Sequence, residues 1–222
     1  MVNLYLFDID GTLVNINYVH LEACKLDYKG ILGYKLPARL IASTFGMVEK
    51  EAYYTICKAL KIIPIEKPFQ KIISIHNENF KKALARKRVL PLKGVVTLLE
   101  YLKKKKQIIG IITANLKIPG ELILKKSRLK KYFKLFSFDD GKSRKKEEII
   151  RSALKLAKKK RYKFEKIIVI GDTIQDIKAA KSVHAFSVAV STGSIKHAQL
   201  KKHNPDLLIR SLSQYREIIK SF

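Results

Sequence analysis

The sequence predicts an α/β protein in which a doubly wound parallel sheet is interrupted by an inserted helical unit. Three observations support this prediction. An apolar, strand-forming stretch near residue 5 runs directly into two carboxylates, residues 15–89 show helical periodicity without a convincing strand, and short apolar strands alternate with helices from residue 90 onward. Such alternation is typical of a parallel sheet with helices on both faces.

The first predicted strand covers residues 2–7 and ends in the string Asp8-Ile9-Asp10-Gly11-Thr12-Leu13. One residue separates the two carboxylates, so both can lean toward a site at the end of the strand. The glycine lets backbone amides approach a ligand closely. A buried strand that ends in this way predicts a reactive loop.

The helical insert, residues 15–89, is punctuated by glycine and proline at Gly30, Gly33, Pro37, Gly46, Pro64 and Pro68. The spacing of its apolar residues predicts helices over 32–45, 48–60 and 69–85. Because the segment leaves and rejoins the alternating pattern, it has the organisation of an inserted domain. We therefore predict a core of residues 1–14 and 90–222 and a helical insert of residues 15–89.

The second half of the chain alternates between strands and helices. Its predicted strands are 107–112, 135–138, 166–170, 186–190 and a weak strand at 207–209, and its predicted helices are 94–102, 120–131, 147–159 and 174–182. Asp8, Thr113 and Asp172 each directly follow a predicted strand. Ligands of open α/β sheets bind outside the carboxyl ends of the strands, so we expect these three residues to share one crevice.

The chain has 222 residues, of which 47% are hydrophobic, and this composition is that of an ordinary folded protein. Cys24 and Cys57 lack a CxxC spacing, which argues against a disulfide framework or a zinc site and for a reducing compartment. Asp8 and Asp10 interrupt the apolar start of the chain, and no apolar run approaches the roughly 20 residues that a membrane span needs. We therefore expect a cytoplasmic protein without a membrane partner.

The formal net charge of +27 is the unusual number in this sequence. It raises nucleic acid as an alternative partner. Most of the basic residues are Lys spread over nearly every amphipathic stretch, whereas specific readers of nucleic acid rely on Arg forks and interleaved aromatics. We therefore favour a solvated, Lys-rich surface, with loose nucleic-acid association that salt would abolish as the alternative.

Three stretches of the chain resemble motifs of the haloacid dehalogenase (HAD) superfamily, in the order that the superfamily has them. Residues 8–12 resemble its first motif, residues 113–115 its second and residues 171–176 its fourth. The resemblance covers nearly all of residues 90–210 and implies a Rossmann-like core. It also implies that the helical insert is a C1 cap, a lid that reads the leaving group of the substrate.

The third motif of this superfamily is one basic residue before a helix, and here the sequence offers several. Asp140 and Arg144 resemble an Asp-x-x-x-Arg variant of the motif. Lys145 is the second candidate, and Lys142 and Lys146 stay open. The resemblance alone therefore does not select the basic residue.

The resemblance implies a phosphatase that uses Mg²⁺. Asp8 would be the nucleophile that forms an aspartyl-phosphate, and Asp10 would act first as general acid and then as general base. The metal would be held by Asp8, Asp172 and the backbone carbonyl of Asp10, with Asp176 supporting a metal-bound water or the basic residue. A cation is needed because phosphate and carboxylate repel each other by about 1 to 4 kcal/mol per charge pair at about 4 Å.

The equatorial phosphate oxygens would be held by the second and third motifs. The resemblance implies Thr113, Ala114 and Asn115 for this role, together with Arg144 or Lys145. These groups would stabilise the charge that spreads over the oxygens in the transition state.

We therefore expect a phosphatase that acts on small phosphorylated metabolites, similar to phosphoglycolate phosphatases, as a monomer or dimer. The alternatives are a β-phosphoglucomutase-like mutase, a nucleotide phosphatase, and a basic nucleic-acid-associated protein that keeps the fold without turnover. The polar residues of the insert that could face the substrate are His20, Tyr34, Lys35 and Arg39. The sequence does not indicate which of them sets specificity.

Overall fold

A computed structural model of the chain describes residues 1–143 and 145–222 and contains a parallel sheet of six strands. The strands are β1 (Leu4–Phe7), β2 (Ile108–Leu116), β3 (Leu135–Asp139), β4 (Ile167–Gly171), β5 (Phe186–Val190) and β6 (Leu207–Ile209). Their order is β3-β2-β1-β4-β5-β6, and each neighbouring pair is parallel. This topology confirms the predicted doubly wound sheet.

The α-helices among the described residues connect these strands, apart from the last helix, which follows the last strand. Those between β1 and β2 are α1 (Asn17–Leu32), α2 (Ala38–Ala42), α3 (Glu49–Leu60), α4 (Glu66–Leu84) and α5 (Val95–Lys104). The later ones are α6 (Lys117–Lys126), α7 (Lys146–Lys159), α8 (Ile174–Ser182), α9 (His197–Lys201) and α10 (Tyr215–Lys220). The predicted helix at 174–182 and the predicted strands at 186–190 and 207–209 have the bounds that the structure shows.

Strand β1 lies at the centre of the sheet and is buried on both faces, as expected of a parallel strand between helical layers. Tyr5 and Phe7 belong to the apolar cluster that contains the buried side of α5, whereas Leu4 and Leu6 pack with α7 and α8. The strand is therefore held from both faces, which fixes the position of the residue that follows it.

The helical insert differs from its prediction at its start. The predicted helix at 32–45 is wrong, because α1 runs through Gly30 and ends at Leu32, where Gly33 adopts a left-handed conformation with φ 73°. Gly costs about 1 kcal/mol in a helix interior, and the packing of α1 along α4 outweighs this cost. Pro37 then precedes the short helix α2.

The two ends of the helical insert lie side by side. Val14 and Pro91 form an antiparallel bridge, and the backbone N–H of Leu92 donates to the carbonyl of Leu13 at 2.8 Å. The insert also has an apolar cluster of its own, made by Tyr28, Leu36, Ile41, Tyr53, Ile56, Cys57, Phe69 and Ile72. Its helices can therefore pack on one another while both ends stay fixed at the sheet.

Over residues 1–143 and 145–222, none of the helices combines the length and the apolar character that crossing a bilayer requires. Both cysteines are free thiols, and both lie in the helical insert. Cys24 is half-buried, and Cys57 is buried in the insert's apolar cluster.

Candidate active site

Three carboxylates converge at the carboxyl end of the sheet. Asp8 follows β1, Asp172 follows the neighbouring strand β4, and Asp176 lies in the first turn of α8. One oxygen of each lies within 4.8 Å of the others, and all three residues are buried. The pairing of β1 with β4 therefore brings together acidic residues that are far apart in the chain.

Lys146, the first residue of α7, lies between two of these carboxylates. Its Nζ is 2.8 Å from Oδ1 of Asp8 and 2.6 Å from Oδ1 of Asp176, and its side chain is only 1% exposed. Burial alone would lower the pKa of Lys146, but the charges of Asp176 and Asp8 outweigh it and raise the pKa. The ammonium group therefore stays charged at the centre of the site.

Lys146 is one of the basic residues that the sequence leaves open for the third motif, and it contacts the carboxylates. Lys145, the second candidate, is exposed at the cap position of α7 and lines an outer groove with Glu51. Arg144, the other predicted residue, lies outside the described residues. Asp140 accepts hydrogen bonds from the backbone of Lys142 and Ser143, so its carboxylate shapes the loop.

Asp10 is held by one residue from the sheet and one from the helical insert. Nδ2 of Asn115 donates to its Oδ2 at 2.5 Å, and Nε2 of His20 in α1 lies 3.2 Å from the same oxygen. The His20 ring packs against Phe80 with 4.9 Å between ring centroids. Oδ1 of Asp10 is buried and has no hydrogen-bond partner among the described residues. One oxygen is therefore fixed, and the other is free for a ligand.

Thr113 and Asn115 lie within the last part of strand β2, which extends to Leu116, beyond the predicted end at residue 112, and both are buried. The hydroxyl oxygen of Thr113 accepts hydrogen bonds from the backbone N–H of Asn115 at 3.2 Å and from its Nδ2 at 2.9 Å. Because a hydroxyl has two lone pairs, its O–H remains available to donate to a ligand. Ala114, between Thr113 and Asn115 in the chain, lines a cavity together with Asp8 and Asp172. The structure thus places all three second-motif residues at the site.

The carboxylate of Asp172 is in close contact with the Thr12 side chain and with the backbone at Gly193. Thr12 donates to its Oδ1 at 3.0 Å, and a Cβ added at Gly193, after β5, would collide with the carboxylate. Burial raises the pKa of Asp172 well above its usual value, and the neighbouring Asp8 and Asp176 carboxylates add to this effect. Burial likewise raises the pKa of Asp8, against the opposing charge of Lys146. The one ammonium group of Lys146 therefore does not neutralise the charges of the three carboxylates.

The donor set fits a hard divalent cation. Mg²⁺ prefers oxygen ligands and is held in proteins by one or two carboxylates together with waters and substrate phosphates. Asp8 and Asp172 supply such carboxylates at the right mutual distance, and the unpartnered oxygen of Asp10 adds an acceptor nearby. A bound cation would also offset the burial and the repulsion that together raise the pKa values of Asp8 and Asp172.

The helical insert forms the opposite wall of a cavity above these residues, which we call the catalytic cavity. It encloses about 670 Å³ of space, part of it open to solvent. Its insert wall is lined by Asn17, His20, Cys24, Thr44, Phe45, Gly46, Met47, Glu49 and Ala52. Of the four polar insert residues named from the sequence, His20 lines the cavity, whereas Tyr34, Lys35 and Arg39 are exposed elsewhere.

Two contacts attach this wall to the sheet. The backbone N–H of Glu49, at the start of α3, donates to Oδ2 of Asp139 at 2.8 Å. Gly46 lies so close to Thr173 that an added Cβ would come within 2.7 Å of its methyl group. No sequence pattern indicated Glu49 or Asp139, because these contacts depend on how the insert docks on the sheet.

Behind the wall, His76 forms a buried ion pair. Its Nδ1 lies 2.6 Å from Oδ2 of Asp27, and its Nε2 is 3.9 Å from the Glu49 carboxylate. Burial alone would lower the pKa of His76, but the charge of Glu49 and the hydrogen bond and charge of Asp27 outweigh it and raise the pKa. The protonated imidazole therefore stabilises the folded insert.

The contribution of His76 should depend on pH. A raised folded-state pKa gives stability that is fully present below the unfolded value of about 6.5 and is lost as the pH rises through the folded value. We expect His76→Gln to cost about 1.5 to 3 kcal/mol of unfolding free energy at pH 6 and less at pH 9. Denaturant unfolding at both pH values measures this.

The matched control is His203→Gln, which changes a half-buried histidine of the core. Its effect should be small, because the His203 side chain has no ion pair like that of His76 among the described residues. If the cost of His76→Gln were equal at pH 6 and pH 9, the charged state of His76 would not contribute to stability.

Comparison with known proteins places the chain in a family. The family model for haloacid dehalogenase-like hydrolases matches residues 5–190. A protein of Caldanaerobacter subterraneus subsp. tengcongensis, provisionally named pyrophosphatase PpaX, is 28% identical to this chain. The alignment, 229 positions long with its gaps, covers 99% of this chain and 95% of the relative. The pyrophosphatase PpaX of Bacillus mycoides is 26% identical and covers 98% of this chain and 97% of its own length.

Among solved structures, a hydrolase from Pseudomonas syringae superposes with a TM-score of 0.83 at 21% identity, covering 98% of both chains. This likeness supports the fold. The family match confirms the predicted class of enzyme, a hydrolase. The chain belongs to the haloacid dehalogenase-like hydrolase family.

Proposed function

We propose that this chain is a Mg²⁺-dependent phosphatase that hydrolyses small phosphomonoesters through an aspartyl-phosphate on Asp8. The observation that carries the proposal is the buried convergence of Asp8, Asp172 and Lys146 beneath Asp10 at one end of the sheet. Carboxylates that repel one another need a ligand that neutralises them. A phosphate ester bound with a divalent cation is such a ligand.

Asp8 is the group placed to attack phosphorus. Lys146 pairs with its carboxylate at 2.8 Å, which favours the ionised form that attack requires. The carboxylate oxygen forms a bond to phosphorus as the bond from phosphorus to the leaving oxygen breaks. The same ammonium can contact an equatorial phosphate oxygen, where charge accumulates in the transition state.

Asp10 is placed to move the proton. In its protonated form it donates to the leaving alkoxide, and as the resulting carboxylate it removes a proton from the water that hydrolyses the aspartyl-phosphate. Asn115 and His20 both contact its Oδ2, which fixes the side chain in one orientation. The O–H of Thr113 and the backbone of Ala114 would hold the phosphate oxygens.

Asp8 and Asp172 would hold the metal ion, with the backbone carbonyl of Asp10. When bound, Mg²⁺ supplies positive charge that offsets the repulsion between the substrate phosphate and the carboxylates. Thr12 and the close backbone at Gly193 keep the Asp172 carboxylate oriented. Asp176 orients Lys146. It forms an ion pair with the Lys146 ammonium and is itself fixed by hydrogen bonds from the backbone and the hydroxyl of Thr173.

We expect Mg²⁺ to be required for turnover and to stabilise the folded protein. Exhaustive chelation should abolish phosphate release, and restored Mg²⁺ should return it. At about 100 times its Kd, Mg²⁺ should add about 2.7 kcal/mol to the unfolding free energy of the wild type. Asp172→Asn should lose most of this stabilisation. Full activity in the presence of chelator would contradict the metal assignment.

The helical insert, residues 15–89, is proposed to act as a lid on a core of residues 1–14 and 90–222. The insert wall supplies the leaving-group side of the catalytic cavity, and its two ends meet at one hinge-like position beside Val14 and Pro91. Closure of such a lid would exclude water and complete the site around Asp10.

A second candidate substrate is inorganic pyrophosphate, because sequence relatives are named pyrophosphatases. Hydrolysis of pyrophosphate would use the same attack by Asp8, with phosphate as the leaving group. A phosphomutase would use it too, but would return the phosphoryl group to the product. Measurement of free phosphate from phosphomonoesters, sugar phosphates and pyrophosphate in parallel tests the proposal and separates these three reactions.

A further inference from the structure

The charge of the catalytic cavity is opposite to that of the whole chain. Although the formal net charge is +27, no Lys or Arg lines the cavity among the described residues. Lys146 lies beneath it and is already paired with Asp8 and Asp176. Among the residues that the structure describes, the positive charge of the site therefore comes from Lys146 beside Asp8, and the leaving-group side has none from Lys or Arg.

The leaving-group side carries a negative charge instead. Glu49 lines the cavity, and its side chain is 22% exposed. His76 lies 3.9 Å behind it, but Asp27 pairs with the same imidazole at 2.6 Å. The three groups together carry one net negative charge when His76 is protonated. Two further ionisable side chains line this wall. Nε2 of His20 lies 3.2 Å from Oδ2 of Asp10, and burial raises the pKa of the Cys24 thiol, which keeps it neutral.

An anion could also bind at the start of α3, where backbone N–H groups are free. Asp139 already occupies this position, because its carboxylate accepts the N–H of Glu49. The remaining wall consists of neutral side chains, among them Asn17, Thr44, Phe45 and Met47. Among the described residues, this wall therefore has no Lys or Arg that would compensate a negatively charged leaving group.

We propose that the substrate is a phosphomonoester whose leaving alcohol carries no negative charge, and that Glu49 is the residue that sets this specificity. A cationic amine on the alcohol would be favoured by Glu49, a neutral polyol would be accepted, and a carboxylate or second phosphate would be repelled. This inference rests on the proposed phosphatase function. It disfavours both pyrophosphate and phosphoglycolate-like substrates.

Three phosphate esters of nearly equal size test the charge dependence directly. They are O-phosphoethanolamine, 2-hydroxyethyl phosphate and 2-phosphoglycolate, whose leaving alcohols end in an ammonium, a hydroxyl and a carboxylate. For the wild type with Mg²⁺, kcat/KM should be lowest for phosphoglycolate, roughly tenfold or more below the hydroxyethyl ester. Pyrophosphate, assayed beside them, should also be poor.

The role of Glu49 is tested by the ratio of kcat/KM for phosphoglycolate to that for phosphoethanolamine. Glu49→Gln should raise this ratio at least fivefold, because it removes the charge and keeps the shape. Glu51→Gln is the matched control, since it removes the same charge from the same helix at a residue that does not line the cavity. It should leave the ratio unchanged.

The outcomes separate the inference from the function beneath it. p-Nitrophenyl phosphate, whose aryl group carries no charge in the intact ester, reports phosphatase activity in each assay. Activity on it together with a preference for phosphoglycolate or pyrophosphate would overturn the inference and leave the proposed function standing. A low phosphoglycolate rate that Glu49→Gln and Glu51→Gln leave equally unchanged would remove Glu49 as its cause. No turnover of any ester would overturn the proposed function, and the inference with it.

Discussion

Asp8→Asn is expected to reduce phosphate release below detection while the protein stays folded. The amide cannot form the bond to phosphorus that the carboxylate forms, so the whole covalent route is lost. The fold should tolerate the change, because burial and neighbouring carboxylates already raise the pKa of Asp8 and make its charge costly. Lys146 also keeps its second partner, Asp176. Phosphate release and thermal unfolding of the same samples measure both effects.

Asp10→Asn is the control that separates the nucleophile from the proton donor. Loss of a general acid and base costs about 10² to 10⁴ in rate. p-Nitrophenolate leaves without protonation, so this variant should still be phosphorylated on Asp8 by p-nitrophenyl phosphate and hydrolyse the intermediate slowly. Intact mass should show one added phosphoryl group on Asp10→Asn and none on Asp8→Asn. Normal turnover by Asp8→Asn would remove Asp8 from the role of nucleophile.

The positions of Asp8 and Asp172 could be predicted from the sequence because they depend on strand ends. Each residue follows a short apolar run, and in a parallel sheet all such ends meet at one edge. The central position of β1, which pairs with both β2 and β4, turns this regularity into contact between distant residues. Thr113 was predictable for the same reason.

Lys146 could not be selected from the sequence because it lies in a run of basic residues at a helix start. A shift of one residue in where α7 begins decides which side chain points inward and which is exposed. Lys145 precedes the helix and faces solvent, whereas Lys146 is its first residue and faces the carboxylates. Local residue preferences are nearly identical for the two, so only packing against the sheet separates them.

The helical insert shows the same limit more strongly. Gly30 predicts a break between helices, yet it lies inside α1, because the contact of α1 with α4 keeps the helix intact. Glu49 gave no signal, since its position over the cavity depends on the bond between its backbone and Asp139 in the core. The position of such a residue depends on how the insert packs against the core, so no pattern in the neighbouring sequence predicts it.

Lys146→Met is expected to have the second large effect, on stability as well as on activity. Removing one partner of a buried ion pair costs about 3 to 5 kcal/mol, because the remaining charges have neither a partner nor water. Here two carboxylates would be left, Asp8 and Asp176, in a cluster that already includes Asp172. Turnover should also be lost, since no ammonium would remain beside the nucleophile and the phosphate oxygens.

Lys145→Met gives the matched control, because it removes the same charge one residue away at an exposed position. It should change the unfolding free energy by less than about 0.5 kcal/mol and leave phosphate release nearly unchanged. Asp176→Asn combined with Lys146→Met should recover part of the lost stability, since it removes one unpaired charge, while turnover stays absent. Equal effects of the two lysine variants would show that the buried ammonium does not hold the site together. Denaturant unfolding and phosphate release, measured on all three variants, distinguish these results.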